Sequence, residues 1–379
     1  MKNNIKKILY LVDYPLDLIG GAQKSTITTY KKMQEQGYDV YILAAKFIDN
    51  NTTGILDEKI FIYEMEGTNK IKSIYKKARV LLKTIRENEI DIVHAQFPQY
   101  AVIMGILKKF KFINKRCKTI FTDRDYLESY NKKYKCIFKF IGSSFNTVIC
   151  TTMANHNLWK KINNNVICIP NVLDEKWYKF DENIKKDIRN EYRIDENKIN
   201  IGFAGRLCDY KRWDTVYEVC KRLRDKSNIL ISIAISCEPT MEYKKRLNNY
   251  ISSLKEILGE KLILFIDANE VEMEKFYYLI DIFILTSEGE SFGRTLIEAM
   301  SKKVVTIGTN SGGVPDVINK TENLFEVNDV DAAINLINKY YKNIDILCKD
   351  KIWFYNLVNN KFSIENFVCS MKDVYEKLI

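Results

Sequence analysis

The chain is 379 residues long and 46% apolar, and its 59 Lys plus Arg against 49 Asp plus Glu leave a net charge of +10. Length and apolar content suit two or three domains with sizeable cores. No apolar run approaches the roughly 18 residues that span a bilayer, no export signal precedes Asp13, the nine cysteines lack zinc or redox spacing, and two histidines exclude a histidine-rich metal centre.

The expected protein is cytoplasmic with reduced core cysteines. Its first half opens with a strand predicted at about Ile5 to Val12, a loop holding Gly20 and Gly21, a helix through Gln36 and a strand at Asp39 to Ala45. That succession starts a doubly wound α/β domain. Glycines between a strand and a helix let backbone approach a ligand closely, and equally make a tight turn. Further strands are predicted at Ile90 to His94, Lys118 to Phe121, Thr147 to Cys150 and Val166 to Ile169, with a crossover to a second domain near Pro170 and Asn171. The second half alternates strands near Ile199, Ile229, Leu262, Ile282 and Val304 with helices, and a last helix covers about Ser363 to Leu378.

Charge is divided unevenly. Residues 1–170 carry 28 Lys plus Arg against 15 Asp plus Glu, hence +13, whereas residues 171–379 carry 31 against 34, hence −3. The excess concentrates in Lys70 to Arg86, Lys108 to Lys118 and Lys132 to Lys139, where basic residues interleave with aromatics. Such a mixture suits an anionic membrane surface, at which each nearby cation contributes about 1 kcal/mol. The competing explanation is a bias toward Lys, Asn and Ile that raises surface lysine everywhere, although it does not by itself produce an acidic second half. No nucleic-acid motif is present, so nucleic acid is not an expected partner.

The most informative stretch is Glu290-Ser291-Phe292-Gly293-Arg294-Thr295-Leu296-Ile297-Glu298-Ala299-Met300. The break at Ser291 to Gly293 predicts Glu290 on a loop and Glu298 in the second turn of the following helix, so both acids can face one cavity at the helix N-terminus. Backbone N–H groups around Gly293 to Thr295, left without intrahelical acceptors, suit a phosphate. The carboxylates can accept from sugar hydroxyls, so the pattern fits a nucleotide sugar. An apolar run, Ile280 to Ser287, precedes the acids; Val304 to Ile307 and the glycine loop Gly308 to Pro315 follow. Both loops therefore lie beyond the carboxyl ends of strands, where open α/β sheets bind ligands. Upstream, Asn200 to Gly205 reads as a strand that leads into Arg206 and Lys211. A guanidinium fork and an ammonium there can both reach a diphosphate, although a solvated basic turn has the same spelling.

Gly205-Arg206-Leu207 with Lys211, the acids Glu290 and Glu298 around Ser291-Phe292-Gly293, Ser311-Gly312-Gly313-Val314-Pro315 and Pro170-Asn171-Val172 resemble the signature set of the family 4 glycosyltransferases. Weaker matches at Gly20-Gly21-Ala22 and Asp91-Ile92-Val93-His94 extend the likeness to nearly the whole chain. The resemblance implies the α/β GT-B fold, two Rossmann-like doubly wound domains facing across a cleft. Residues 1–170 with the helix 363–379 would form the acceptor side, and residues 171–362 the donor-binding domain. It also implies that Arg206 and Lys211 bind the donor diphosphate, that Glu298 binds the ribose and that Glu290 contacts the transferred sugar. Gly20, Gly21, Gly205, Ser291, Phe292, Gly293, Arg294 and Thr295 would complete the donor site. The activity implied is transfer of a hexose from a nucleoside diphosphate sugar, by default a uridine one, to a hydroxyl of a glycan or lipid-linked acceptor, with retention, in cell-surface polysaccharide synthesis. Cationic side chains and a helix terminus would carry the diphosphate, so neither a metal nor a further cofactor is expected.

The chain departs from the family pattern in its first half. Where many members place a histidine after a strand, Asp123 stands here, followed by Arg124 and Asp125. Asp123 is therefore a candidate for a sugar hydroxyl, and Arg124 for a phosphate or for pairing with Asp125. The Asp-x-Asp spelling imitates a metal motif of the GT-A fold, but Asp329-Val330-Asp331 repeats it where no site is expected. Phe265 to Asn269, where a glycine turn is more usual, is a candidate frame for the base. His94 can line the cleft or be structural, and Trp177 and Trp213 read as packing residues. Two other activities stay open: a nucleotide-sugar epimerase or phosphorylase on the same fold, and a non-catalytic partner subunit that binds a nucleotide sugar.

Overall fold

The computed structural model describes residues 6–13, 21–45, 59–63, 70–238 and 240–378. Gly20 lies outside them. The chain divides into two compact units, Met1–Val172 with Glu365–Ile379, and Leu173–Ile364. These bounds lie two residues from the expected ones.

The first unit is a seven-stranded parallel sheet built from β1 (Lys7–Leu11), β2 (Asp39–Ala45), β3 (Ile60–Tyr63), β4 (Ile92–Ala95), β5 (Lys118–Asp123), β6 (Thr147–Cys150) and β7 (Val166–Cys168), in the order β3-β2-β1-β4-β5-β6-β7. The second unit holds β8 (Ile199–Arg206), β9 (Ile229–Ser236), β10 (Leu262–Ile266), β11 (Ile282–Leu285), β12 (Val305–Thr309) and β13 (Leu324–Phe325), in the order β10-β9-β8-β11-β12-β13. Both orders reverse direction after the first strand of their unit, as in doubly wound folds. Helices cover the sheet faces, so the strands are near-continuous apolar runs such as Ile229-Leu230-Ile231-Ser232-Ile233-Ala234-Ile235, all buried.

Two strands escaped prediction, β3 and β13. β3 is four residues in a charged neighbourhood and β13 only two, too short for periodicity to register. The C-terminal helix, Ile364–Leu378, buries Phe367, Met371, Val374 and Tyr375 against Ile8, Tyr10 and Val12 of the first unit. Their spacing is one stripe of a 3.6-residue helix. None of the nine cysteines is in a disulfide, but only Cys117, Cys150 and Cys220 are buried. Cys136, Cys348 and Cys369 are exposed, which corrects the expectation that all belong to the core.

Candidate active site

In the second unit the direction of strand order switches between β8 and β11. They pair through Ile282 with Ile201 and Phe283 with Gly202, while β8 runs on to Arg206 and β11 to Leu285. The carboxyl ends therefore continue past their pairing, at the switch point where open α/β sheets bind ligands. Three loops meet there.

The β8 loop makes a 3-10 turn at Asp209–Lys211, closed by Arg212 in the left-handed region at φ 53°. Trp213, the first residue of the next helix, donates its indole N–H to the Arg206 carbonyl at 2.7 Å. It is thus a loop clasp as well as a packing residue. The β11 loop holds this turn from the side. Thr286 Oγ1 donates to the Lys211 carbonyl at 2.8 Å, and the Glu288 amide donates to the Tyr210 carbonyl at 2.7 Å.

The β12 loop braces the β11 loop in turn. The Gly313 amide donates to the Glu290 carbonyl at 2.7 Å, the Gly289 amide to Ser311 Oγ at 2.9 Å, and Thr309 Oγ1 to the Ser287 carbonyl. Gly312 makes this contact possible: a Cβ there would stand 2.3 Å from the Glu290 carbonyl oxygen, and its φ of 58° is left-handed.

This weave sets Lys211 Nζ against Glu290 Oε2 in an ion pair whose side chains are only 12% and 14% exposed. Burial by itself would lower the Lys211 ammonium, but Glu290, with Tyr210 adding, outweighs it and holds the group above its ordinary value. Arg206 is exposed; burial would lower its guanidinium, but Tyr210 beside it, with Cys208 and Glu238 adding, outweighs that and holds it raised. Tyr210 is 41% exposed and its ring lies 5.3 Å from Lys211 Nζ, so it links both expected diphosphate cations. Local spelling gave no sign of that role.

The helix Arg294–Ser301 begins at Gly293, which is left-handed at φ 76° and contributes no side-chain cap. Leu285 and Leu296 side-chain carbons would lie about 3 Å from a Cβ at Gly293. Glu298 stands in the second turn, as expected, and is 8% exposed. Its Oε2 accepts from the Tyr277 hydroxyl at 2.9 Å and its Oε1 from Arg294 Nε at 3.0 Å. Arg294 thus orients Glu298. Thr295 Oγ1 is buried with no hydrogen-bond partner at the same helix start, a polar atom well suited to a ligand. Phe292 was expected against the donor, but it is 2% exposed and packs edge-on to Phe362 at 5.7 Å. It anchors the acid loop in the core.

Residues 184–350 match the family described as Glycosyl transferases group 1, and residues 19–177 match Glycosyltransferase Family 4. The chain belongs to the family 4 glycosyltransferases. This glycosyltransferase is 24% identical over 334 residues to an uncharacterized 41.2 kDa protein in the cps region of Klebsiella pneumoniae, covering 83% of this chain and 86% of that one. It is 24% identical over 385 residues to N-acetyl-alpha-D-glucosaminyl L-malate synthase of Bacillus anthracis, covering 94% of each. Its fold matches the Anabaena protein HepE, solved in complex with UDP-glucose, with a TM-score of 0.78 at 16% identity over 98% of this chain and 99% of that one. The GT-B fold expected from the motifs is the observed one.

The first unit of the glycosyltransferase corrects one assignment. Asp123 is wholly buried. Its Oδ2 accepts from Trp159 Nε1 at 2.6 Å and Asn155 Nδ2 at 3.0 Å, and its Oδ1 from the Tyr130 hydroxyl at 2.8 Å and the Asp125 amide at 3.2 Å. Four donors occupy both oxygens, so Asp123 ties β5 to the helix Met153–Trp159 and has no face for a sugar. Arg124 donates to Asn171 Oδ1 and to Gln96 Oε1, which gives the Pro170-Asn171-Val172 motif a structural partner.

His94 is also fully buried. Its Nε2 lies 2.6 Å from Thr122 Oγ1 and its Nδ1 3.0 Å from the Tyr375 hydroxyl, which is 2.8 Å from the Tyr10 hydroxyl. Burial, then Arg124, push the imidazole down to about 3, so it stays neutral and fastens the C-terminal helix to the sheet. Gly21 starts the helix Gly21–Glu35. Asp329 caps the helix Val330–Lys342 by accepting from the Ala332 amide at 2.9 Å, so the second Asp-x-Asp is a helix start. Asp267 takes the left-handed conformation at φ 49° in the turn where glycine is more usual, and Asn269 then forms a capping box with Glu272.

Proposed function

We propose that this glycosyltransferase moves a sugar from a nucleoside diphosphate sugar, uridine-linked, to a hydroxyl of a glycan or lipid-linked acceptor with retention of anomeric configuration, in the synthesis of a cell-surface polysaccharide. The observation that carries this is the three-loop junction: Lys211, on the same loop as Arg206, pairs with Glu290, and the segment of Glu290 runs on into an uncapped helix start and Glu298. Cations and helix amides stabilise the departing diphosphate as charge develops on it. Glu298, already oriented by Arg294 and Tyr277, accepts from the ribose. Glu290 accepts from the transferred sugar. The bond from anomeric carbon to diphosphate oxygen breaks, the acceptor oxygen bonds to that carbon on the same face, and the acceptor proton passes to the departing diphosphate. That route needs no enzymic nucleophile.

HepE was solved with UDP-glucose, which supports the uridine donor, and the Klebsiella relative lies in a cps region, which supports the polysaccharide. A thermal-shift screen of uridine, guanosine, adenosine and thymidine diphosphates and their sugars is the direct test, since a bound ligand raises apparent stability by mass action. A uridine diphosphate should shift the midpoint most. A larger shift with another base would replace the uridine assignment. Turnover of the preferred donor only when a cell-envelope extract is added is the expected sign of transfer; turnover without any acceptor would support the epimerase or phosphorylase alternative.

A further inference from the structure

We propose that the first unit docks on an anionic bilayer through one face, formed by the end of the helix Pro98–Lys109, the connection 110–118, the helix Lys132–Ile141 and the adjoining stripe of the helix Lys70–Glu87. The proposal does not depend on the donor site.

Large apolar side chains concentrate on this face in solvent. Phe110 is 59%, Phe112 62% and Phe140 54% exposed, and Ile106 39%. Rings of this size are normally buried, and contiguous exposed ones mark an interaction surface. They are not scattered. Lys109 Nζ sits 4.2 Å from the Phe140 ring centre and donates to the Phe140 carbonyl at 2.6 Å, which joins the two helices at the patch.

Charge decides the partner. Residues 98–118 hold six Lys plus Arg and no acid, and residues 129–150 hold four and no acid. Exposed Glu87, which pairs with Lys83, and exposed Glu89 and Glu128 lie at the edges of these segments, so the face is cationic in excess, and such an excess with interleaved aromatics complements anionic headgroups over an acyl boundary. Beside the rings lies a cavity of about 450 Å³, floored by Leu82, Ile85 and Ile113 and rimmed by Arg86, Lys111 and Lys115. Apolar below and cationic above, it has the polarity profile of a phospholipid. Tyr75, 69% exposed, is on the same helical stripe as Arg79, Leu82 and Arg86, since offsets of four, seven and eleven return to one face. Among the described residues no helix is long and apolar enough to cross a membrane, so attachment here is to the surface.

Flotation with vesicles of phosphatidylcholine, with and without about a third phosphatidylglycerol, tests this on the full-length protein. The wild type should float with the anionic vesicles and stay behind with the neutral ones. Phe110→Ser combined with Phe112→Ser and Phe140→Ser should lower partitioning about tenfold, and Lys111→Gln with Lys115→Gln should lower it and flatten its salt dependence. Ile344→Ser with Ile352→Ser, which removes apolar surface exposed at 59% and 56% in the second unit, should change nothing. Unchanged circular dichroism and melting midpoints keep a loss of binding from being a loss of fold. Equal partitioning of the phenylalanine variant, no binding to anionic vesicles, or binding to double-stranded DNA in place of vesicles would each overturn the proposal.

Discussion

Lys211 and Glu290, 79 residues apart, neutralise each other through an ion pair almost closed to solvent. The cation proposed to hold the donor diphosphate and the acid proposed to hold its sugar are therefore already joined. A diphosphate that reaches Lys211 competes with Glu290, and the released carboxylate is then at hand for sugar hydroxyls. Lys211→Met should weaken uridine diphosphate binding about tenfold or more, the value of a lost charge-assisted bond. Glu290→Gln should leave that affinity within about threefold while turnover falls about 100-fold, because the amide no longer offers a charged acceptor to the sugar. Calorimetry with the nucleotide and turnover with its sugar separate the two; a matched loss of binding in both variants would refute the division of roles.

Glu298 is held by Tyr277 and Arg294 from opposite oxygens. Glu298→Ala removes the acceptor of both inside a nearly buried site and should cost roughly 3 kcal/mol in unfolding free energy. Glu298→Gln keeps one acceptor and should cost less. If the carboxylate binds the ribose, the preference for uridine diphosphate over its 2′,3′-dideoxy analogue should shrink in Glu298→Gln. An unchanged ratio would reassign the residue to structure alone.

Gly312 and Gly289 sit on the two interlocked loops and differ in what a methyl would meet. At Gly312 it would meet Glu290 backbone at 2.3 Å, whereas at Gly289 nothing lies within 4 Å. Gly312→Ala must displace the acid loop and should lower kcat/KM at least about tenfold, since displacements of an ångström are felt in catalysis. Gly289→Ala meets only the left-handed backbone cost of about 1 kcal/mol. It should melt slightly earlier and turn over nearly normally. Comparable activity in the two variants would show that the loop contact does not position Glu290.

Asp123 gives unit-specific pH dependence. Burial first, then the Asp125 charge, push its carboxyl up to about 7 despite the donors around it, whereas in the unfolded chain it titrates near 4. Between those values the unfolded state has released a proton that the folded state keeps. Stability from this group is therefore full below about pH 4, falls as pH rises to about 7 and is level beyond. Asp13, raised to about 6 chiefly by burial, acts in the same direction. Melting midpoints followed from pH 4.5 to 7.5 should show a shallower fall in Asp123→Asn than in the wild type, even though the asparagine lowers stability overall. Equal slopes would mean that Asp123 is already ionised in the fold.

Much of the fold was legible because its signals are local. Apolar runs of β strand length, the glycine at 293 and the acid in the second turn all act within a few residues of themselves. The two missed strands, at Ile60–Tyr63 and Leu324–Phe325, add edges to sheets already laid down by their neighbours. Such short strands owe their conformation to the pairing partner rather than to their own composition. Phe292 was misplaced for a similar reason: a motif says that a ring is present but not which way it packs.

By itself the sequence determined two parallel α/β units, their approximate bounds and the membership of the family, because strand hydrophobicity and glycine-rich loops are properties of contiguous residues. Only the tertiary structure decided which charges meet. It paired Lys211 with Glu290, enclosed Asp123 among four donors, and gathered Phe110, Phe112 and Phe140 onto an exposed basic face. Each outcome depends on distance in space and on how much water the fold removes, and both vary steeply over a few ångströms that no spacing along the chain encodes.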